Sequence, residues 1–428
     1  MMSAGSPTQV PHKSPFNVIV VVAALGYFVD IYDLLLFGIV RNDSLRSLGL
    51  DDAAIKAVGV MLINWQMAGL LLGGILWGII GDTRGRLTVL FGSIITYSLA
   101  NIANGFVDNV TTYAVLRFIA GIGLAGELGA GVTLVSETMH KDQRGWGTTL
   151  VASFGVLGAV VASLVGDLLS WRNAYFVGGG LGLALLVLRF STYESSMFTT
   201  ARNEGRRPRL RTLFGQRQTI TKYLACIGIG VPIWFAIGLL ILLSKEMSTA
   251  LGLATPAKPA LAIMWAYAGL AVGDFSSGYF SQAIRSRKRA VAVFLTLLVV
   301  AVATYFLIGG LSHSAFYAAC AFVGFAAGYW ALFVTIASEQ FGTDVRATVT
   351  TTVPNFVRGA VIPITLLFLL LEGELGTIGA VALVGALCLA AAVASLTRLD
   401  ETFGKDLDYI ESQPAREAAN ISPSRRGP

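Results

Sequence analysis

Apolar runs of about 20 residues, the length at which a helix crosses roughly 30 Å of hydrocarbon, alternate along this chain with short polar connections. The pattern predicts twelve spans, at approximately 16–40, 57–80, 87–106, 111–137, 146–168, 173–190, 220–243, 260–283, 290–310, 314–339, 347–370 and 376–397. Polar segments frame them: residues 1–15 before the first span, 191–219 between the sixth and seventh, and 398–428 after the last.

A long internal repeat groups these spans. Val132 to Thr149, VTLVSETMHKDQRGWGTT, returns as VTIASEQFGTDVRATVTT at Val334 to Thr351. The informative matches are Ser136-Glu137 with Ser338-Glu339, Asp142-x-Arg144 with Asp344-x-Arg346, and Thr148-Thr149 with Thr350-Thr351. So long a period excludes a solenoid and points to two similar half-molecules. The expected fold is an all-α membrane protein with twelve transmembrane helices in two six-helix pseudo-symmetric bundles, 16–190 and 220–397, joined by the linker 191–219.

Composition sharpens this. With 55% hydrophobic and 13% charged residues and a mean hydropathy of +0.70, the chain falls outside the soluble range. The formal charge of +6 does not imply a nucleic-acid partner, because the basic residues sit between apolar spans rather than on one face. They set orientation instead: most of the 31 Lys and Arg fall in one set of loops and the tails, leaving Arg41, Arg46, Lys56, Arg172, Lys245 and Lys258 in the opposite loops. The positive-inside rule then places both termini in the cytoplasm, most naturally at a bacterial inner membrane. Lys245-Glu246 reads as a solvated rim. Cys226, Cys320 and Cys388 read as buried thiols, no Walker A sequence is present, and His12, His140 and His313 form no metal set. The expected partners are a small-molecule solute and the lipid bilayer, with no cofactor.

Between spans two and three stands Gly78-Ile-Ile-Gly-Asp82-Thr-Arg84-Gly85-Arg86, and a worn copy begins at Gly278, retaining Arg285-Ser-Arg287-Lys288-Arg289 with Gln282 in place of the acid. The first copy resembles the G-x-x-x-D-x-x-G-R signature of the major facilitator superfamily, and Val115-Leu-Arg117-Phe-Ile-Ala-Gly121-Ile-Gly123 is similar to its R-x-x-x-G-x-G motif. Gly26-Tyr-Phe-Val-Asp30-Ile-Tyr32-Asp33 and Gly126-Glu127-Leu-Gly129 are similar to patterns of its metabolite:proton symporter branch, although Leu128 replaces an aromatic residue usual there. The resemblance implies alternating access around a midplane site and a monomer. It also implies a cytoplasmic gate of Gly78, Asp82, Gly85, Arg86, Glu137 and Arg144, with Glu339 and Arg346 as second-half counterparts.

Individual residues mark the candidate site. Asp30 and Asp33 share a helix face, and a carboxylate at a helix centre costs about 2.5–3.5 kcal/mol to insert, so such residues face a cavity, pair or protonate. Equal depth makes Arg117 the expected partner of Asp33, as a proton-released pair or a static one. Glu127 either titrates or binds solute, or else locks two helices as a hydrogen-bonded neutral acid. Arg358 near the middle of span eleven suits a carboxylate or phosphate, with pairing to Asp274 or another acid as the alternative. Asn355, Tyr32, Trp65, Gln66, Tyr329 and Trp330 are candidate lining residues, as are Trp234 and Trp265, with helix packing or interfacial anchoring as the competing role.

The expected function is proton symport of a small organic anion or zwitterion, with proton-coupled export or sugar-porter-like transport as alternatives. Proton coupling is expected at Asp30, Asp33, Arg117 and Glu127. No enzymatic activity is expected.

Overall fold

The computed structural model describes residues 18–129, 131, 144–194, 217–342 and 345–405; the linker, both tails and most of the first repeat copy lie outside the described residues. Among the described residues the secondary structure is helical, without strands. The first half contains α1 (Val18–Ser47), α2 (Asp52–Arg84), α3 (Arg86–Asn104), α4 (Val110–Leu124), α5 (Arg144–Val156), α6 (Gly158–Leu168) and α7 (Trp171–Glu194). The second contains α8 (Arg217–Phe235), a π-helical turn Ala236–Ile241, α9 (Ser244–Ala250), α10 (Pro259–Ala283), α11 (Arg287–Ile308), α12 (His313–Ala327), α13 (Trp330–Glu339), α14 (Arg346–Gly359) and α15 (Val361–Arg398).

Ten stretches of the described residues are long and apolar enough to cross a membrane. One, Thr348–Arg398, has 51 residues, more than two passes need, and it breaks at Gly376, where φ is 68°. The described part of α4 has 15 residues and leads towards 132–143, which lie outside the description. The chain is inside out relative to a soluble protein. Asp30, Asp33, Arg41, Arg117, Glu127, Arg189, Asp274 and Arg358 are buried, while Leu168, Val187, Leu307 and Leu370 are among the most exposed side chains. Apolar surface of that extent requires a hydrocarbon neighbour, and buried charges require partners.

Local chemistry starts the helices. Asp51, Asn109 and Ser312 cap α2, α4 and α12 through side-chain oxygens that accept backbone N–H groups, satisfying donors a helix cannot satisfy itself. Small residues set the crossings. A Cβ at Gly69 would lie 2.1 Å from the Phe118 carbonyl oxygen, so α2 and α4 touch backbone to backbone there. The same crossing recurs between α10 and α12, where a Cβ at Gly269 would lie 2.0 Å from the Ala321 carbonyl oxygen.

Two seams join the halves: α2 runs along α14, and α5 and α6 run along α10. The seams place α1 against the second half, with Gly38 facing Leu242.

Candidate functional site

Asp30, on α1, and Arg358, at the end of α14, meet across the seam. Arg358 Nη2 donates to Asp30 Oδ2 at 3.1 Å, with both side chains essentially buried. The guanidinium also lies 5.6 Å from the Trp330 ring and 5.9 Å from the Tyr27 ring, within cation–π range. One hydrogen bond leaves much of the fork unused: Arg358 Nε and Nη1 and Asp30 Oδ1 have no hydrogen-bond partner. Beside the pair lies a cavity of about 20 Å³, lined from both halves by Tyr27, Ile31, Trp234, Tyr267 and Trp330. That volume suits a water molecule rather than an organic solute.

The alternative pairing of Arg358 with Asp274 is not found. Asp274 Oδ1 instead accepts the backbone N–H of Ala331 at 3.0 Å, stabilising the start of α13 after the break at Gly328.

Arg117 does not pair with the Asp33 carboxylate. Its Nη2 donates to the Asp33 backbone carbonyl at 3.4 Å and its Nη1 to Tyr175 Oη at 3.5 Å, between the rings of Phe37 and Tyr175. Equal depth brought the right helices together, but side-chain direction sent the fork to the backbone. Both carboxylate oxygens of Asp33 have no hydrogen-bond partner.

Glu127 is held inside the first half. Arg189 on α7 reaches it with Nη2 at 2.9 Å and Nη1 at 3.2 Å, and Ser93 on α3 donates to it at 2.8 Å. This is the helix-locking alternative, though with an ionic partner instead of a neutral acid. Arg189 is not among the candidates read from the sequence; its place between Leu188 and Phe190, within the apolar run 173–190, is the signal that it is internal.

The remaining candidates divide. Asn355 bridges the seam, donating through Nδ2 to the Ala125 carbonyl at 2.8 Å and to the Thr351 carbonyl of its own helix at 2.8 Å. Tyr32 donates to the Ala174 carbonyl, Tyr329 to the Ile229 carbonyl and Gln66 to the Leu34 carbonyl, so all three tie helices together within a half. Trp65 and Trp265 are 47% and 46% exposed; they face outwards and do not line the centre. Trp234 and Trp330 do line it.

The end of the bundle near Ser47 carries a cross-half set of ion pairs that the sequence reading placed in loops. Arg41, fully buried, donates to Glu246 at 2.6 and 2.8 Å. Lys245 meets Asp52 at 3.4 Å, Lys258 meets Asp167 at 3.2 Å, and Lys56 pairs with Glu372. Lys245-Glu246 is therefore a cross-half contact, not a solvated rim.

At the opposite end, Gly85 takes φ 92° and closes α2 through its N–H to the Gly81 carbonyl, while Gly78 faces Thr352 of the second half. The side chains of Asp82, Arg86 and Arg144, and all of Glu137, lie outside the described residues. In the second half Glu339 pairs with Arg287 at 3.3 Å and accepts from Thr402 at 2.6 Å, and Arg346 donates to the Ser338 and Phe341 carbonyls. The acid missing from the worn motif is replaced in space by Glu401, which accepts from Ser286 Oγ and the N–H groups of Arg287 and Lys288 at the start of α11. Partial burial opposes ionisation of Glu401, but these donors outweigh it and hold the carboxyl below its ordinary value. Among the described residues no group of His, Cys, Asp and Glu is disposed to hold a metal ion.

Residues 23–364 match the family model described as Major Facilitator Superfamily. The chain is 34% identical over 185 residues to a putative metabolite transport protein of Haemophilus influenzae, covering 41% of this chain and 44% of that protein. It is 33% identical over 162 residues to the niacin transporter NiaP of Acinetobacter baylyi (37% and 36%), and 28% identical over 192 residues to the 4-hydroxybenzoate transporter PcaK of Pseudomonas aeruginosa (44% and 42%). Each match spans less than half the length of that curated relative. The family and the names are those of transporters, not enzymes.

Proposed function

We propose, from the premise that this chain belongs to the Major Facilitator Superfamily, that it is a proton symporter of small organic carboxylates, aromatic acids foremost. The observation that carries this reading is the buried Arg358–Asp30 pair at the seam, with unused guanidinium donors and aromatic rings around it. A guanidinium fork matches a carboxylate in two-point geometry. Tyr27, Trp234 and Trp330 offer faces and edges for a ring. Niacin and 4-hydroxybenzoate, named in two relatives, are both aromatic carboxylic acids.

The mechanism follows from charge balance. With Asp30 ionised, Arg358 is engaged and the seam is neutral. A proton on Asp30 releases the fork, a solute carboxylate takes its place, and the loaded centre is again neutral. Only the neutral forms rock cheaply through a low-dielectric centre. Twelve spans in two six-helix bundles supply the rocking bodies, and the repeated glycine crossings of α2 with α4 and α10 with α12 support their common origin. With the termini in the cytoplasm of a bacterial cell, the Ser47 end faces outwards, and its cross-half ion pairs close the outer entrance. The transporter acts as a monomer.

The test is uptake of radiolabelled nicotinate, benzoate and 4-hydroxybenzoate into proteoliposomes under an imposed proton gradient. Accumulation that collapses with the gradient is expected. No gradient-driven flux of any organic acid, or flux of sugars alone, overturns the reading.

A further inference from the structure

We propose that Trp330 Nε1 and Asp274 Oδ2, both in the second half, form a second polar subsite at the centre that recognises a hydroxyl group on the ring of the bound acid. The assignment rests on the reading of the solute as an aromatic carboxylate seated on Arg358, and adds to it what the rest of the ring carries.

Close backbone contact sets the subsite. A Cβ at Gly273 would lie 2.1 Å from the Phe325 carbonyl oxygen, and one at Gly328 would lie 2.5 Å from Gly273 Cα and 2.6 Å from the Asp274 backbone nitrogen. The backbone of α10 thus meets the break between α12 and α13 directly, and the Asp274 carboxyl reaches the first turn of α13. There Oδ1 accepts the Ala331 N–H at 3.0 Å, with the Trp330 N–H beside it. The other oxygen is left over: Oδ2 is buried and has no hydrogen-bond partner. Asp274 stands on the same face of α10 as Tyr267 and Leu270, seven and four residues before it, and both of these line the central cavity.

Trp330 opens α13 and lines the same cavity. Its ring lies 5.6 Å from the Arg358 guanidinium, 6.5 Å from the Trp234 ring and 5.2 Å from the Phe333 ring, so neighbours hold its direction. Through its ring it adjoins the group that takes the carboxylate, and through its backbone it adjoins Asp274. Yet Trp330 Nε1 is buried and has no hydrogen-bond partner. A buried indole N–H ordinarily finds an acceptor, and leaving one stranded costs more than an ordinary hydrogen bond contributes. Held by the N–H groups that open α13, the Asp274 carboxyl serves as an acceptor, as a helix-capping acid does. The two unpartnered atoms are then one donor and one acceptor. A ring hydroxyl both accepts and donates and satisfies the two together. A pyridine nitrogen or an ether oxygen only accepts, and a bare ring does neither. A site with buried polar groups rejects the analogue that leaves them unpaired, so the hydroxylated acid is the preferred solute.

Calorimetric titration of the purified full-length chain at one mildly acidic pH tests the subsite through ratios of affinity within each variant, so that a general effect on ring packing cancels. The probes are benzoate, 3- and 4-hydroxybenzoate, and the methyl ethers of these two. Wild-type protein should bind the better hydroxy isomer about tenfold more tightly than benzoate and than its own methyl ether, the effect of one buried hydrogen bond. Trp330→Phe keeps a ring beside Arg358 but removes the N–H, and should bring the hydroxybenzoate-to-benzoate ratio close to one. Asp274→Asn keeps an oxygen for the Ala331 N–H and turns the second acceptor into a donor, and should bring the hydroxybenzoate-to-ether ratio close to one. In protein carrying nitrogen-15 indole, the resonance that Trp330→Phe deletes should move downfield with the hydroxy acid and stay in place with benzoate. A wild-type preference for benzoate, either ratio surviving its variant, or an indole resonance indifferent to the hydroxyl overturns the subsite while benzoate binding leaves the carboxylate reading standing. If none of these acids binds, the carboxylate reading itself falls, and the subsite with it.

Discussion

Removing Arg189 should damage the protein more than removing Arg189 and Glu127 together. The two side chains are essentially buried, joined by two hydrogen bonds of 2.9 and 3.2 Å. Arg189→Met leaves the Glu127 carboxylate with only Ser93 as described donor. An uncompensated buried charge costs about 3–5 kcal/mol, and a loss of that order is expected. Glu127→Gln alone removes the described acidic partner of Arg189 and is also destabilising. The double variant removes both charges, and replacing a whole buried pair by neutral groups is often close to neutral, so at least half of the single loss should return. Unfolding in mixed micelles, titrated with a denaturing detergent, gives the four corners of the cycle. Strictly additive losses would refute the claim that the pair acts as one structural unit. If Glu127 were instead the proton carrier, the double variant would be stable yet would not accumulate solute, whereas the helix-lock role predicts that it does.

Three further outcomes follow. Arg358→Lys exchanges a planar fork for a point charge, and losing one charged hydrogen bond of about 2 kcal/mol should weaken nicotinate affinity by roughly thirtyfold; unchanged affinity in equilibrium binding would make Arg358 structural. Arg41→Ala should raise the rate at which Gly38→Cys, lying beneath the Ser47 end, reacts with a membrane-impermeant maleimide, because Glu246 loses its buried partner. Lys258→Ala, which breaks the pair of Lys258 and Asp167, 65% and 40% exposed, should change that rate little, since exposed pairs contribute at most about 1 kcal/mol; equal effects would refute a burial-graded closure. Glu401, held below its ordinary value in the folded protein, stabilises fully above the unfolded carboxyl value and loses that contribution as pH falls through the folded value. Glu401→Gln should therefore flatten the stability of the chain between roughly pH 5 and 3; an unchanged acid slope would show that the carboxylate is not used.

The hydrophobic pattern by itself determined the helical class, the approximate positions of the membrane-crossing runs and the suspicion attached to Asp30, Asp33, Arg117, Glu127 and Arg358. Those features are local: a run of apolar residues must become a helix in hydrocarbon wherever its neighbours lie, and an ionisable group within it must find a partner. The spacings Gly69-x-x-x-Gly73 and Gly269-x-x-x-Gly273 underlie the close crossings, because a small residue every fourth position lets helix backbones approach. Which charge meets which was not legible. Arg117 and Asp33 lie at matching depth, yet the guanidinium turns to a backbone carbonyl. Asp30 meets Arg358 from the far half of the chain, Glu127 meets Arg189, and Arg41 meets Glu246. Helical periodicity gives a residue's depth and azimuth on its own helix, but a pairing also needs the rotation and crossing of the neighbouring helix, and these are set by packing at contacts distant in sequence. For that reason only the tertiary structure separated two acids one turn apart, sending Asp30 to the seam and Asp33 into the interior of the first half.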